Sequence, residues 1–317
     1  MNSINKKYNK PFYDPIYAKA LTLVENDPSI NRIYDDRGIN ITTFLDPLIK
    51  TRNNGIAIDI GCGIGQVTLS LSGKYENVIA GDISKVALKV VTRVAKKSNI
   101  TNIHPVLMDA VNMPFRDDVF ELVLCSGALE WVSVNRSEEE STKKLQVSAL
   151  KEIQRILTNK GLFWLGIENR FWYRYFLGAI DHHSGLRFVP VLPRAIANFY
   201  SKLLSKRSYR NYLYTYWDLS KMLKESGLLV NKSISAFPFY SNPRVVIDLA
   251  NFDQKKRFFT NLQREITSTE FQIIKKILGL HLAKLLFPNF IIIGSKSFKI
   301  ASELSRKKIT SSKLSLH

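Results

Sequence analysis

Two periodicities divide the chain. Residues 1 to about 53 place apolar side chains at helical spacing, with Ile16, Ala20, Leu23 and Val24, then Phe44, Leu45, Leu48 and Ile49, which predicts an N-terminal helical cap. From Gly55 short apolar runs alternate with helix-length segments, the pattern of a parallel sheet with helices on both faces. The runs predict strands at Ile56–Ile60, Asn77–Gly81, Ile103–Met108, Phe120–Cys125 and Gly161–Ile167, with helices at about 65–72, 84–98 and 145–158. Arg155 to Thr158 followed by Asn159, Lys160 and Gly161 reads as a helix end and a glycine turn feeding the fifth strand. Alternation stops over Arg170–Arg210, which reads as an insertion. It resumes with a helix at Trp217–Ser226, a strand at Leu228–Phe237, a helical stretch over 250–287 and a last strand at Phe290–Ser295.

The candidate chemistry sits where the first strand ends. Ala57-Ile58-Asp59-Ile60-Gly61-Cys62-Gly63-Ile64-Gly65-Gln66 is a buried strand running into a glycine loop and then a helix. Strand ends of this kind hold ligands in open α/β sheets. A dinucleotide fold wants G-x-G-x-x-G/A, but the third small position is Gln66 here and the third glycine comes one residue early. Asp59 also stands two residues before the first glycine. A carboxylate there repels a pyrophosphate and suits the ammonium of a methionine moiety.

These residues resemble the first motif of class I S-adenosylmethionine-dependent methyltransferases, D/E-x-G-x-G-x-G, and the spacing that follows extends the resemblance. Gly81-Asp82-Ile83-Ser84 ends the second strand where that family places an acid for the ribose hydroxyls. Asp109-Ala110 follows the third, where the family reads the adenine edge with a carboxylate and a backbone N–H. Met113-Pro114-Phe115 and Phe120 to Ser126 match its loop and fourth strand, with Glu121 in place of the usual Asp and Trp131 where His is frequent. The resemblance implies S-adenosylmethionine as cofactor, bound by Asp59, Gly61, Cys62, Gly63, Gly65, Asp82, Ile83, Asp109, Ala110 and Ser126. It also implies an α/β, Rossmann-like three-layer sandwich: a mostly parallel seven-stranded sheet with an antiparallel last strand, plus a helical cap and insertions. The domains expected are the cap at 1–53, a methyltransferase domain at 54–299 with acceptor-side insertions at 170–215 and 250–287, and a disordered basic tail at 300–317.

On the acceptor side, Glu168, His182 and His183 are candidate bases, and Glu130, Asn169, Arg170 and Arg194 are candidate substrate contacts. Gly166 to Arg170 and Asp181-His182-His183-Ser184-Gly185 resemble segments of methyltransferases from bacterial and archaeal surface-polysaccharide clusters. That likeness implies a sugar hydroxyl or a glycan-linked acceptor, lipid-linked ones included. The alternative is that Asp181 caps a helix while the histidines face solvent. No metal is expected, because adjacent histidines point different ways.

Composition adds a sign to the acceptor. Forty-six basic against 27 acidic side chains give a formal charge of +19, which fits an anionic or glycan-type acceptor, a membrane surface or RNA, or reflects a lysine-rich coding bias. Residues 170–210 hold eight of the basic residues, nine aromatics and one acid, Asp181. RNA methylation is the weaker alternative, since Ser126-Gly127-Ala128-Leu129 stands where a base-binding Asn-Pro-Pro-Tyr motif belongs. A non-catalytic cofactor-binding module is the third. The two cysteines, Cys62 and Cys125, sit at no metal or disulfide spacing. No secretory signal and no transmembrane helix are expected, and the chain is read as cytoplasmic or peripheral at the inner membrane surface.

Overall fold

The computed structural model describes residues 14–26, 37–48, 55–251 and 255–300. Ile49 and the residues after 300, part of the readings above, lie outside them. Two helices come first, α1 (Asp14–Asn26) and α2 (Arg37–Leu45). The sheet then begins: β1 (Ile56–Ile60), α3 (Gln66–Ser72), β2 (Asn77–Asp82), α4 (Lys85–Lys97), β3 (Ile103–Leu107), β4 (Phe120–Ser126), α5 (Thr142–Ile156) and β5 (Leu157–Glu168). The segment after it carries α6 (Tyr173–Phe176) and α7 (Arg194–Ser205), followed by α8 (Tyr216–Glu225), β6 (Leu229–Phe239) and β7 (Asn242–Asp248). Three helices, α9 (Lys255–Leu262), α10 (Ser268–Gly279) and α11 (Ala283–Leu286), lead into β8 (Asn289–Ser295).

The strand order is β3-β2-β1-β4-β5-β8-β6-β7. The first five strands are parallel, while β8 runs antiparallel between β5 and β6. The fold is thus the Rossmann-like, mostly parallel sandwich, with one strand more than the seven expected. The extra strand is β7, Asn-Pro-Arg-Val-Val-Ile-Asp, which pairs antiparallel with β6 at the sheet edge. An edge strand tolerates its Pro243, whose missing N–H would break a ladder in the middle of a sheet.

Alternation along β5 shows how the sheet divides two cores. Phe163, Leu165 and Ile167 point into the layer that holds α5 and α8, and Leu162 and Trp164 into the opposite one. Trp164 is fully buried and meets the edge of Phe44 just beyond it on α2, ring centroids 5.7 Å apart. The cap therefore packs through Ile41, Leu45 and Leu48, while Val24 of α1 rests on Val90 and Val94 of α4. Ile16 and Leu23, which share the apolar pattern, face outward.

One local expectation is corrected. Gly161 makes no turn, because β5 already starts at Leu157 and the strand bulges between its pairings at Leu157 and Leu162. A Cβ at Gly161 would stand 2.8 Å from the Phe120 carbonyl oxygen, so close backbone approach explains the glycine.

Candidate active site

The glycine loop is built at the C-terminal end of β1. Gly61 and Cys62 donate their N–H groups to the Gly81 carbonyl at 2.8 and 3.2 Å, which ties the loop to the end of β2. Gly61 has φ +69°, and a Cβ there would lie 2.4 Å from the Ala128 Cβ. Gly65, φ +86°, caps α3 where a Cβ would lie 2.8 Å from Val91. Both conformation and space therefore demand glycine.

Asp82 organises the rim. Its carboxylate accepts from the Gly63 N–H at 2.9 Å and the Ser84 N–H at 2.8 Å. Burial pushes its pKa up, and those N–H groups pull it partly back. Ser84 caps α4 by accepting from the Ala87 N–H at 3.1 Å, and its hydroxyl donates to Asp14 of α1. Asp109 accepts from the Val111 N–H at 3.1 Å and pairs with Arg136, which also binds Glu140.

Gly61, Asp82, Ile83, Asp109 and Ala110 line one cleft. Tyr17, Met108, Trp131, Asn135 and Arg136 also line it, and no sequence motif gives any of them a ligand role. Cys62, Gly63 and Gly65, also expected at the cofactor, are not among the residues that line it. Cys62 and Cys125 are buried, and burial raises both thiols, so neither is a nucleophile at neutral pH. Ser126 Oγ is buried with no hydrogen-bond partner among the described residues.

Asp59 lies beneath the loop, 3% exposed, accepting from the Thr68 hydroxyl at 2.7 Å. Burial above all, with the charge of Asp82, pushes it up to about 6. The folded state thus holds its proton more tightly than the unfolded chain, so this group's contribution falls as pH rises through about 4 to 6. Two units cost on the order of 2–3 kcal/mol at neutral pH. Asp59→Asn keeps an acceptor for Thr68. It is expected to raise the stability of the cofactor-free chain by that order at pH 7.5 and by less at pH 4.5, while weakening cofactor binding. Urea unfolding at both pH values checks the first statement, and an equal gain at both would refute it.

The acceptor-side candidates separate into two groups. Glu130, Glu168 and His183 come together with Asp181. His183 Nδ1 is 2.9 Å from Asp181 Oδ1 and 3.8 Å from Glu168 Oε2, and its Nε2 is 3.5 Å from Glu130 Oε1. Tyr175 donates to Glu168 at 2.6 Å and Tyr240 to Glu130 at 3.3 Å. Glu130 is fully buried, and its Oε2 has no hydrogen-bond partner among the described residues. Burial alone would lower the His183 pKa, but Asp181, Glu130 and Glu168 override it and hold the imidazole protonated well above its ordinary range. Burial raises Glu168, against the opposing pull of His183 and Tyr175. The cluster adjoins the cleft: the Trp131 ring lies 5.1 Å from the His183 ring, and Tyr240 packs on Gly127, another cleft residue.

The other candidates lie elsewhere. His182 is exposed, because the turn that points His183 inward turns its neighbour out; Asp181 closes that turn by accepting from the His183 and Ser184 N–H groups. Asn169 gives its amide to the Leu285 and Phe287 carbonyls at 2.8 Å each. Arg170 donates to the Pro190 and Leu192 carbonyls, and Arg194 to that of Leu213 while stacking 4.1 Å from the Tyr212 ring centroid. Asn169 thus ties the end of β5 to α11, Arg170 ties it to the insertion, and Arg194 braces the insertion internally. Glu168, Asp181 and His183 also form a group of metal-ligand type, their ligand atoms within 4.8 Å of one another.

The donor set fits S-adenosylmethionine: carboxylates at three successive strand ends, a loop in which a Cβ at Gly61 would collide, and an unpartnered Ser126 hydroxyl beside the cleft. Residues 58–165 match the family model of a methyltransferase domain. The fold and this cleft thus define the class, a methyltransferase-type S-adenosylmethionine site on a Rossmann-like sheet. Among curated proteins, the chain is 23% identical to EEF1A lysine methyltransferase 2 of Danio rerio over 48% of its own length and 66% of that protein. To the uncharacterized methyltransferase YcgJ of Bacillus subtilis it is 27% identical over 41% and 46%. The chain thus spans less than two thirds of the length of either. A phosphoethanolamine N-methyltransferase of Haemonchus contortus shares the fold at TM-score 0.51 and 13% identity, covering 90% of this chain and 58% of that one.

Proposed function

We propose that this chain transfers the methyl group of S-adenosylmethionine to a hydroxyl of a sugar or glycan-linked acceptor, lipid-linked acceptors included. The observation that carries this reading is the Glu130–Glu168–Asp181–His183 cluster against Trp131 at the wall of the cofactor cleft. When bound, S-adenosylmethionine supplies an activated methyl on a sulfonium with a neutral thioether as leaving group. Asp82 and Asp109 hold the adenosine end and Asp59 the ammonium side, while the cluster aligns the acceptor oxygen, which is where most of the rate comes from.

A hydroxyl acceptor must also lose a proton. We assign that proton to Glu168, the most accessible acid of the cluster, whose pKa burial raises. His183, protonated and fixed by Asp181, keeps Glu168 ionised and orients it. Tyr175 holds the same carboxylate from the far side.

Incubation with methyl-labelled cofactor and cell fractions is expected to put label into a carbohydrate or lipid-linked pool. Label confined to RNA would replace this reading with the one that the +19 charge favours. Binding without transfer to any pool would leave a non-catalytic module.

A further inference from the structure

The segment between β5 and α8 packs one of its helices with the apolar side out. On α7 the small residues Ala197 and Ser201 are buried, whereas Ile196, Phe199 and Leu203 are exposed at i, i+3 and i+7, Phe199 to 71% and Leu203 to 68%. A helix serving only the core would reverse that arrangement. The loop before α7, which packs on it through Val189 and Ala197, exposes apolar side chains as well. Leu177 is 72% exposed, and Phe188, held at φ +64°, lays its half-exposed ring over Gly178. Monomeric proteins rarely expose contiguous apolar surface on this scale without an occupant.

The charged side chains that the segment itself exposes at this surface are all basic. Arg187, Lys206 and Arg207 are exposed at its margin, and the lone acid of residues 170–217, Asp181, is fully buried against His183. Lys202 has one acidic neighbour, Glu138 at 3.2 Å. A symmetric contact between two copies would set each basic margin against its own image. An anionic lipid surface offers the complementary sign and accepts the apolar side chains as well.

We infer that α7 and the loop before it form a membrane-docking face, with Phe199 and Leu203 entering the acyl boundary and Lys206 and Arg207 meeting anionic headgroups. No helix among the described residues is long and apolar enough to cross a membrane, so the face lies on the surface. The same loop that presents Leu177 and Phe188 outward holds Asp181 and His183 inward, so docking would bring the acceptor side of the cleft to the lipid surface. This inference stands on exposure and charge, whether or not methyl transfer reaches a lipid-linked acceptor.

Flotation of the full chain with vesicles tests it. Vesicles of phosphatidylcholine and phosphatidylglycerol in equal parts are expected to carry the chain at about 0.1 M salt, and pure phosphatidylcholine to carry far less. The F199S/L203S double variant is expected to bind at least about tenfold more weakly. K206S/R207S is expected to bind roughly twentyfold more weakly. Both variants should keep the parent's affinity for S-adenosylhomocysteine, which shows that they fold and separates this result from failure of the methyl-transfer reading. No binding of the parent to anionic vesicles, or undiminished binding of F199S/L203S, overturns the inference. So does a parent that light scattering shows to be dimeric while F199S/L203S is monomeric, since the face would then join two copies.

Discussion

Asp82→Ala is expected to lower affinity for S-adenosylhomocysteine at least a hundredfold, measured by calorimetry on a chain whose circular dichroism is unchanged. The carboxylate serves two purposes. It fixes the loop by accepting from Gly63 and Ser84, and it lines the cleft at the end of β2, where the proposed ribose hydroxyls need an acceptor. Each hydrogen bond to a charged group is worth about 1.5–3 kcal/mol, so loss of the ligand contacts alone accounts for about two orders of magnitude. Asp82→Asn should fall between, since one amide oxygen can accept while the amide nitrogen clashes with donor N–H groups. Parent-like affinity in the alanine variant would remove the adenosyl reading of this cleft.

The second large effect is on turnover. Glu168→Gln is expected to lower kcat by about 10²- to 10⁴-fold, the range for loss of a positioned base, with little change in affinity for S-adenosylhomocysteine. Glutamine keeps the volume and can still accept from Tyr175, so the comparison isolates the proton acceptor. In the parent, kcat should rise with pH through a value displaced above the ordinary glutamate range, because burial raises Glu168. The Glu168→Gln variant should lose that limb of the profile. His183→Asn removes the positive charge that holds Glu168 ionised and should move the limb to higher pH as well as lower the plateau. An unchanged profile in both variants would show that the acceptor needs no base from this cluster, as an amine acceptor delivered neutral would not.

Much of the cofactor side was legible because it is local. Asp59, the three glycines, Asp82 and Asp109 each sit within a few residues of a strand end, and strand ends follow from short apolar runs. The turn at Gly161 was misread for the same reason in reverse: a glycine after a helix signals a turn, and nothing in the window reports that Phe120 approaches from across the sheet. β7 escaped because it is an edge strand that begins with Asn242 and Pro243, residues that read as a turn. Tyr17 and Arg136 reach the cleft from elements that sequence alone could not orient.

The acceptor side shows the limit more sharply. Glu168 and His183 were visible as residue types, but so were His182, Asn169, Arg170 and Arg194, and only packing separates the first pair from the rest. The cluster draws on positions 130, 168, 181, 183 and 240, and the Tyr240–Glu130 contact alone spans 110 residues. The sequence by itself determined the parallel sheet, the glycine loop and its three acids, since hydrophobic period and backbone freedom are properties of neighbouring residues. Only the tertiary structure decided which polar side chains are buried together and which apolar ones of α7 stay outside, because burial, and the charge balance it imposes, belongs to no segment until the others have packed against it.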